Sequence, residues 1–209
     1  MKYFFIILSV VLLISSTYET PDSTSPTYNI GDIVNGGVVF YIFQSGDKGY
    51  VKGETHGLVC AFSDYENKLE WGCFGTDLPS VPNVSYYLSH QEGGGGIPTG
   101  LGAEIGDGYS NTNLILNDCP NSPAALAARS LGPDWFLPSI NELNQMYINK
   151  TTLESTSGFS AFSDEANGWW SSTEDDDEGA WIQHFDDADG YQNYKFKRKT
   201  RLVRAVRAF

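Results

Sequence analysis

The sequence predicts an α+β fold built from small, mostly antiparallel sheets, two to three short helices and long loops. Near the N-terminus, an apolar run at 28–34 and a β-branched and aromatic run at 38–43 flank the turn sequence Asn35-Gly36-Gly37, which is typical of a β-hairpin. Further along, Ser139 is followed by Glu142 and by apolar residues on one helical face, which is typical of a short capped helix. At 209 residues the chain is long enough for one domain with a substantial core.

The stretch 134–147 is the most closely specified part of the chain. Its apolar run from Trp135 to Leu137 favours burial, and Pro138 ends that run. The hydroxyl of Ser139 can cap the first N–H groups of a helix while Glu142 reaches back to the cap. We therefore predict structural roles for these residues, and the stretch contains no catalytic set.

The remaining elements are expected to pack around this stretch. Strand patterns occur at 57–62, 169–173, 180–185 and 201–209, and helix patterns occur at 114–116 and 122–129. The segment 191–199 is polar and is expected to be exposed. In the last strand Arg204 and Arg207 would point to opposite faces, and the inward one needs a buried carboxylate partner. We expect Arg204 to have a structural role, although arginines three residues apart also fit a helix face.

The N-terminus has the features of an export signal. A basic start, an apolar core and small residues predict a signal peptide at 1–17, and the Ser-, Thr- and Pro-rich segment 18–27 predicts a flexible tether. Residues 28–209 are then one domain. Thr17 occupies the position where a lipoprotein would have cysteine, so lipid anchoring is not supported. We expect a secreted, cell-surface or periplasmic bacterial protein with no membrane contact beyond the signal, and an uncleaved anchor is the competing interpretation.

Three cysteines occur in this exported chain, so a disulfide is expected. Cys60 lies in a strand-like apolar run, which favours a buried small hydrophobe. Cys73 and Cys119 lie in loop sequence, where a cross-link stabilises most. The favoured pair is Cys73 with Cys119, and a fully reduced state stays open.

The formal net charge of −13 argues against nucleic-acid binding, which needs a broad basic surface. Ten acidic residues lie between Asp164 and Asp189, whereas seven of the thirteen basic residues lie between Lys195 and Arg207. Neighbouring segments of opposite sign can neutralise each other.

No motif in the sequence predicts catalysis. His56, His90 and His184 are far apart, which disfavours zinc, and the run at 93–96 lacks the context of a phosphate loop and predicts a solvent loop. We expect no cofactor and no catalytic residue. Calcium binding is the one alternative to the expectation of no cofactor, because carboxylate oxygens are preferred calcium ligands. The alternative is a solvated acidic face, and the candidate calcium ligands are Asp175, Asp176, Asp177 and Asp187.

Candidate ligand-binding residues lie in the 169–199 region, because binding residues concentrate on loops held by a rigid scaffold. Tryptophan and tyrosine rings can stack on sugars or fill the core, and both interpretations stay open here. The candidates are Trp170, Glu174, Asp175, Asp177, Tyr191, Asn193, Tyr194 and Lys197.

Several ordered motifs together resemble a known bacterial family, the domain named after the C-terminal domain of the Legionella collagen-like adhesin. The resemblance covers about 28–209 and rests on the motifs at 30–41, 57–59, 71–73, 105–112, 134–143, 170–174, 180–181 and 203–207. It implies a C-type lectin-like fold with paired N- and C-terminal strands. The adhesin is trimeric and binds sulphated glycosaminoglycans, so a trimer is implied by resemblance only. This chain lacks both a collagen-like repeat and a broad basic surface.

From these observations we expect an exported, non-enzymatic recognition or adhesion domain that binds a glycan or a surface protein. A structural cell-envelope module without its own ligand is the first alternative. An enzyme of the oxidase type found on related folds is the second, and the three cysteines show no arrangement that supports it.

Overall fold

The computed structural model describes residues 26–85, 98–163, 167–186 and 190–209. The predicted signal peptide, most of the predicted tether and the glycine run at 93–96 lie outside these ranges. Within them the chain is α+β with small antiparallel sheets, which confirms the predicted fold class at that level. Among the helices of these ranges, none combines the length and the hydropathy that crossing a bilayer requires.

The strands are short, as expected for a loop-rich domain. Those in the described ranges are β1 (Ile33–Val34), β2 (Gly37–Ile42), β3 (Gly57–Cys60), β4 (Leu69–Glu70), β5 (Trp169–Glu174), β6 (Gly179–Gln183), β7 (Gln192–Phe196), β8 (Thr200–Arg201) and β9 (Val206–Ala208).

The strands form three sheets, in the orders β1-β2-β3-β9, β4-β8 and β5-β6-β7. Every pairing between these strands is antiparallel. The predicted hairpin joins β1 to β2, and Asn35 and Gly36 both have positive φ (49° and 82°), as a type I′ turn requires. The first and last strands share a sheet, but they lie at its opposite edges. The expectation that they pair directly is therefore wrong.

The helices of the described ranges are α1 (Gly108–Asp118), α2 (Pro123–Arg129), α3 (Ile140–Ile148) and α4 (Lys150–Glu154). Four helices therefore replace the two to three that we expected. At the start of α3, Ser139 Oγ accepts from the Glu142 N–H at 3.2 Å, and Glu142 Oε2 accepts from the Ser139 N–H at 2.8 Å. At the start of α2, Ser122 Oγ accepts from the Ala125 N–H. The predicted capping box and the predicted Ser-Pro helix start are both confirmed.

The apolar run before α3 connects two of the sheets. Trp135, Phe136 and Leu137 are buried, as predicted. The backbone of Phe136 exchanges two hydrogen bonds with Val206 of β9, at 2.8 and 2.9 Å. Two residues later, the Pro138 carbonyl accepts from the Ser172 N–H in β5 at 2.7 Å. This run therefore fixes the four-stranded sheet and the β5-β6-β7 sheet relative to each other.

Two further predictions about buried groups are confirmed. Cys73 and Cys119 form a disulfide across 46 residues, and Cys60 is a buried free thiol. Arg204 is fully buried and pairs with the Asp64 carboxylate at 2.6 Å. The carboxylate that a buried arginine requires thus comes from the loop after β3.

Candidate functional site

The predicted ligand-binding residues separate into a buried group and an exposed group. Trp170, Glu174, Asp175 and Lys197 are buried, so a ligand at the surface cannot contact them. The indole of Trp170 donates to the Leu69 carbonyl at 2.8 Å, which is an internal contact. These four residues contribute to the structure, and assigning them to ligand binding is wrong for the conformation described.

Lys197 corrects the expectation that 191–199 is an exposed polar segment. Residues 192–196 form β7, and the Lys197 side chain enters the core, where its ammonium pairs with Glu174. The ammonium also donates to the carbonyls of Thr76 and Asp177 at 3.0 and 3.2 Å. Burial raises the pKa of Glu174 to about 7, and the bond and charge of Lys197 oppose that rise. The pair is an internal cross-connection rather than a ligand site.

The acidic loop between β5 and β6 is a tight turn with its own internal hydrogen bonds. Asp176 Oδ1 accepts from the N–H groups of Glu178 and Gly179 at 2.9 and 2.7 Å. Asp177 is exposed. In the ranges that the structure covers, no three His, Cys, Asp or Glu side chains are arranged to hold a metal ion. Asp187 and His90 lie outside those ranges, so calcium binding at this loop stays a prediction.

Tyr191, Asn193 and Tyr194 are the predicted residues that reach the surface, together with Asp177. The Tyr191 ring is 44% exposed and stacks on the imidazole of His184, with ring centroids 4.1 Å apart and planes inclined by 17°. The His184 N–H also donates to the Tyr191 carbonyl at 3.0 Å, so the position of the ring is fixed by both contacts. An exposed aromatic ring held in this way is suited to stacking against a flat ligand face.

Strand register places more side chains on the same face as Tyr191. Asn193 lies opposite Ile182 of β6, which lies opposite Trp170 of β5. Ile182 and Trp170 are fully buried, so this side of the sheet is accessible only along its β7 edge. Because alternate residues of a strand share a face, Tyr191, Asn193 and Lys195 project to one side of β7.

Burial and neighbouring charges shift the pKa values of the basic residues in this part of the protein. Burial lowers the pKa of His184, and the positive charges of Lys195 and Arg201 lower it further, whereas Asp186 opposes the effect. Burial and the charge of Arg201 likewise lower the pKa of Lys195.

Sequence reasoning considered His184 only as a zinc ligand and did not single out Lys195 or Arg201. A strand interpretation of 191–196 would have placed Tyr191, Asn193 and Lys195 on one side of β7. Arg201 is carried by β8 and belongs to another sheet, so the periodicity of 191–196 gives no indication of its position.

A second candidate surface is an open groove of about 570 Å³ beside the C-terminal strand. Its floor contains the buried side chains of Trp135 and Val203, and its rim exposes Tyr65 and Leu131. Apolar concave surfaces with a polar rim are common ligand sites. The groove is lined by Asn35, Gly36, Ala61, Phe62, Ser63, Asp64, Tyr65, Glu66, Ala127, Ser130, Leu131, Trp135, Val203 and Ala205.

Fold and surfaces together define a disulfide-linked α+β domain with two candidate binding surfaces. Comparisons with family models and with curated proteins find no match. Among solved structures, the chain is similar to a fimbrial protein from Bacteroides ovatus, with a TM-score of 0.51 and 15% identity over 83% of this chain and 44% of that one. The chain therefore spans less than half the length of that structure. Similarity at this identity supports a shared fold and does not test the C-type lectin-like assignment.

Proposed function

We propose that this chain is an exported, non-enzymatic recognition domain that binds a glycan at the cell surface through the exposed Tyr191 ring, which lies just before β7 at the edge of the β5-β6-β7 sheet. The observation that carries the proposal is the exposed Tyr191 ring, held by stacking on His184, with Asn193 on the same side of the strand two residues further on. Sugar recognition combines an aromatic ring for the apolar sugar face with amide and charged groups for the hydroxyls and acid groups.

Two further observations support export and surface recognition. A disulfide such as Cys73–Cys119 persists in oxidising compartments outside the cytosol, which agrees with the predicted signal peptide. The structural neighbour is a fimbrial protein by its title, which is compatible with a surface module. The resemblance to the Legionella adhesin domain points the same way and stays a prediction.

An oxidase of this type would need a reactive cysteine, and Cys60, the free thiol of the described ranges, is poorly suited to that role. Cys60 is fully buried, and burial raises the pKa of its thiol to about 12. A thiol of this kind carries almost no thiolate at neutral pH, and the thiolate is the reactive species. Cys73 and Cys119 are joined to each other.

A glycan array tests the proposal directly. The mature domain is applied as wild type, as Tyr191→Ala and as Tyr50→Ala, the last being a matched control because Tyr50 is similarly exposed (39%) in the loop after β2. We expect wild type and Tyr50→Ala to bind the same glycans and Tyr191→Ala to lose them. Absence of glycan binding by a folded wild-type domain would reject the proposal and favour the structural envelope module.

A protein ligand is the second candidate, and the groove with its exposed Leu131 and Tyr65 favours it. Cross-linking of surface proteins to the domain, compared between Leu131→Asp and Tyr191→Ala, separates the two surfaces. Loss of a defined partner in Leu131→Asp alone would assign protein binding to the groove. Equal capture by both variants would exclude the groove.

A further inference from the structure

We propose that the groove beside the C-terminal strand binds a lysine or arginine side chain of a partner protein, with its apolar stem on the groove floor and its charged group at Tyr65 and Glu66. The inference rests on the second candidate function, protein binding at the groove, and names the chemistry of that partner. It does not depend on glycan binding at Tyr191.

The first argument is the shape and composition of the groove floor. The volume of about 570 Å³ lies within the range of ligand-binding clefts in proteins. Ala61, Ala127 and Ala205 line the depression beside the larger side chain of Trp135, so its surface is mainly carbon. Lysine and arginine bury their CH₂ stems along such surfaces while the charged group stays in water.

The second argument is the pair of side chains at the rim. Tyr65 and Glu66 are consecutive, both line the groove, and both are exposed. The face of an aromatic ring attracts a cation, and a carboxylate accepts charge-assisted hydrogen bonds from it. The rim therefore offers an ammonium or guanidinium group two favourable contacts next to an apolar floor.

The third argument is charge complementarity. Among the described residues, those that line the groove include Asp64 and Glu66 and no lysine, arginine or histidine. Asp64 pairs with Arg204 in the core at 2.6 Å, so we assign the pairing with a ligand to Glu66. Arg207 donates to the Asn35 carbonyl of the lining at 3.4 Å, and its own charge is paired with Asp134 at 3.5 Å.

The charge of the whole protein favours a basic partner over a second copy of the chain. The formal net charge is −13, so two copies repel each other, whereas a basic segment is attracted over a longer distance. The local contacts at the rim and the overall field thus select the same sign of charge.

The test uses an array of synthetic octapeptides probed with the fluorescently labelled mature domain. Each peptide carries lysine, arginine, glutamate or norleucine at its centre, and its flanking positions vary between apolar and polar residues. We expect binding to peptides that combine a central lysine or arginine with apolar neighbours. In solution, measured by fluorescence anisotropy, replacing the central lysine of the strongest peptide by norleucine should weaken binding about tenfold.

Variants of the rim locate the binding site. Glu66→Gln and Tyr65→Ala should each weaken the same peptide by about threefold or more. Glu70→Gln and Tyr50→Ala are the matched controls, because Glu70 is an exposed acid of β4 and Tyr50 is similarly exposed (39%), and neither lines the groove. Both controls should bind the peptide as wild type does. Urea midpoints check that every variant is folded.

Four results would overturn the inference. They are a preference for central glutamate or norleucine, unchanged affinity in both Glu66→Gln and Tyr65→Ala, no peptide binding by the folded wild-type domain, and self-association that Leu131→Asp abolishes in analytical ultracentrifugation. The last result would assign the groove to a second copy of the chain.

The Tyr191→Ala variant separates this inference from the proposed glycan binding. It should keep the affinity for the peptide, because Tyr191 does not line the groove, while it loses the glycans. Loss of the peptide in Tyr191→Ala would place both ligands on the Tyr191 surface and overturn the assignment to the groove. Glycan binding that persists without any peptide binding would reject the groove inference and leave the glycan proposal intact.

Discussion

Arg204 and Asp64 are 140 residues apart in the chain, yet Arg204 Nε donates to Asp64 Oδ1 at 2.6 Å inside the core. The same Asp64 oxygen accepts from the Trp169 indole at 2.8 Å, so one carboxylate connects three segments. The guanidinium lies over the rings of Phe159 and Phe162, at 4.7 and 4.6 Å from their centroids. It also donates to the carbonyls of Ala61, Phe62 and Ser160.

Arg204→Lys should therefore destabilise the domain although the charge is kept. Lysine lacks the planar group that stacks on the two rings and bonds several carbonyls at once. We expect a loss of about 2–4 kcal/mol in the free energy of unfolding, measured by urea denaturation. Arg207→Lys is the matched control, because Arg207 makes a 3.5 Å ion pair with the exposed Asp134, and such surface pairs contribute at most about 1 kcal/mol. Equal losses in the two variants would contradict the role assigned to Arg204.

The buried Lys197–Glu174 pair should show strong coupling between its members. Lys197→Met leaves a buried acid without its partner, and Glu174→Gln leaves a buried ammonium without its counter-charge. Each variant should lose about 3–5 kcal/mol, whereas the double variant should lose clearly less than the sum of the two. Urea denaturation of the four proteins measures this coupling. Additive losses would show that the two side chains act independently.

The disulfide should contribute substantially to stability because it closes a long loop. For a separation of 46 residues between Cys73 and Cys119, the loop-entropy relation gives about 4 kcal/mol. We expect the double Cys→Ser variant to lose an amount of this order in the free energy of unfolding. A reductant should destabilise wild type by a similar amount and should leave the stability of the variant unchanged. Thiol titration under denaturing, non-reducing conditions should detect Cys60 alone. Detection of all three thiols would contradict the pairing.

Stability should fall as the pH rises from 5 to 8. Burial, with a contribution from the Asp107 charge, raises the pKa of Glu142 from 4.5 to about 7, although N–H groups of Ser139, Gly106 and Gly108 oppose the rise. The folded state then holds a proton that the unfolded chain releases near pH 4.5. The resulting contribution of Glu142 to the free energy of unfolding is fully present below pH 4.5 and is lost as the pH rises through 7.

At about 1.4 kcal/mol per pKa unit, the contribution of Glu142 is on the order of 3 kcal/mol. Urea midpoints at pH 5 and pH 8 measure the effect. Glu142→Gln cannot ionise, so the difference between the two midpoints should shrink in that variant even if its stability is lower at both pH values. An unchanged difference would exclude Glu142 as a source.

Features whose interacting residues are close together in the chain could be predicted from the sequence. The turn at Asn35-Gly36 follows from the tolerance of these residues for positive φ, and the capping box follows from Ser139 and Glu142 being three residues apart. Burial of 135–137 followed from composition. In each case a few neighbouring residues contain both halves of the interaction.

Interactions that join distant segments could not be predicted, because they depend on how the whole chain packs. The sequence indicated that a buried arginine needs a carboxylate, but only the fold brought Asp64 to Arg204. Polarity suggested that Lys197 is exposed, yet its backbone follows β7 into the core, where Glu174 and two carbonyls offset the cost of burying the ammonium. The stacking of Tyr191 on His184 likewise depends on the pairing of the two chain segments that carry them. The chemistry of a buried residue determines which kind of partner it needs. The packing of the whole chain determines which distant residue provides that partner.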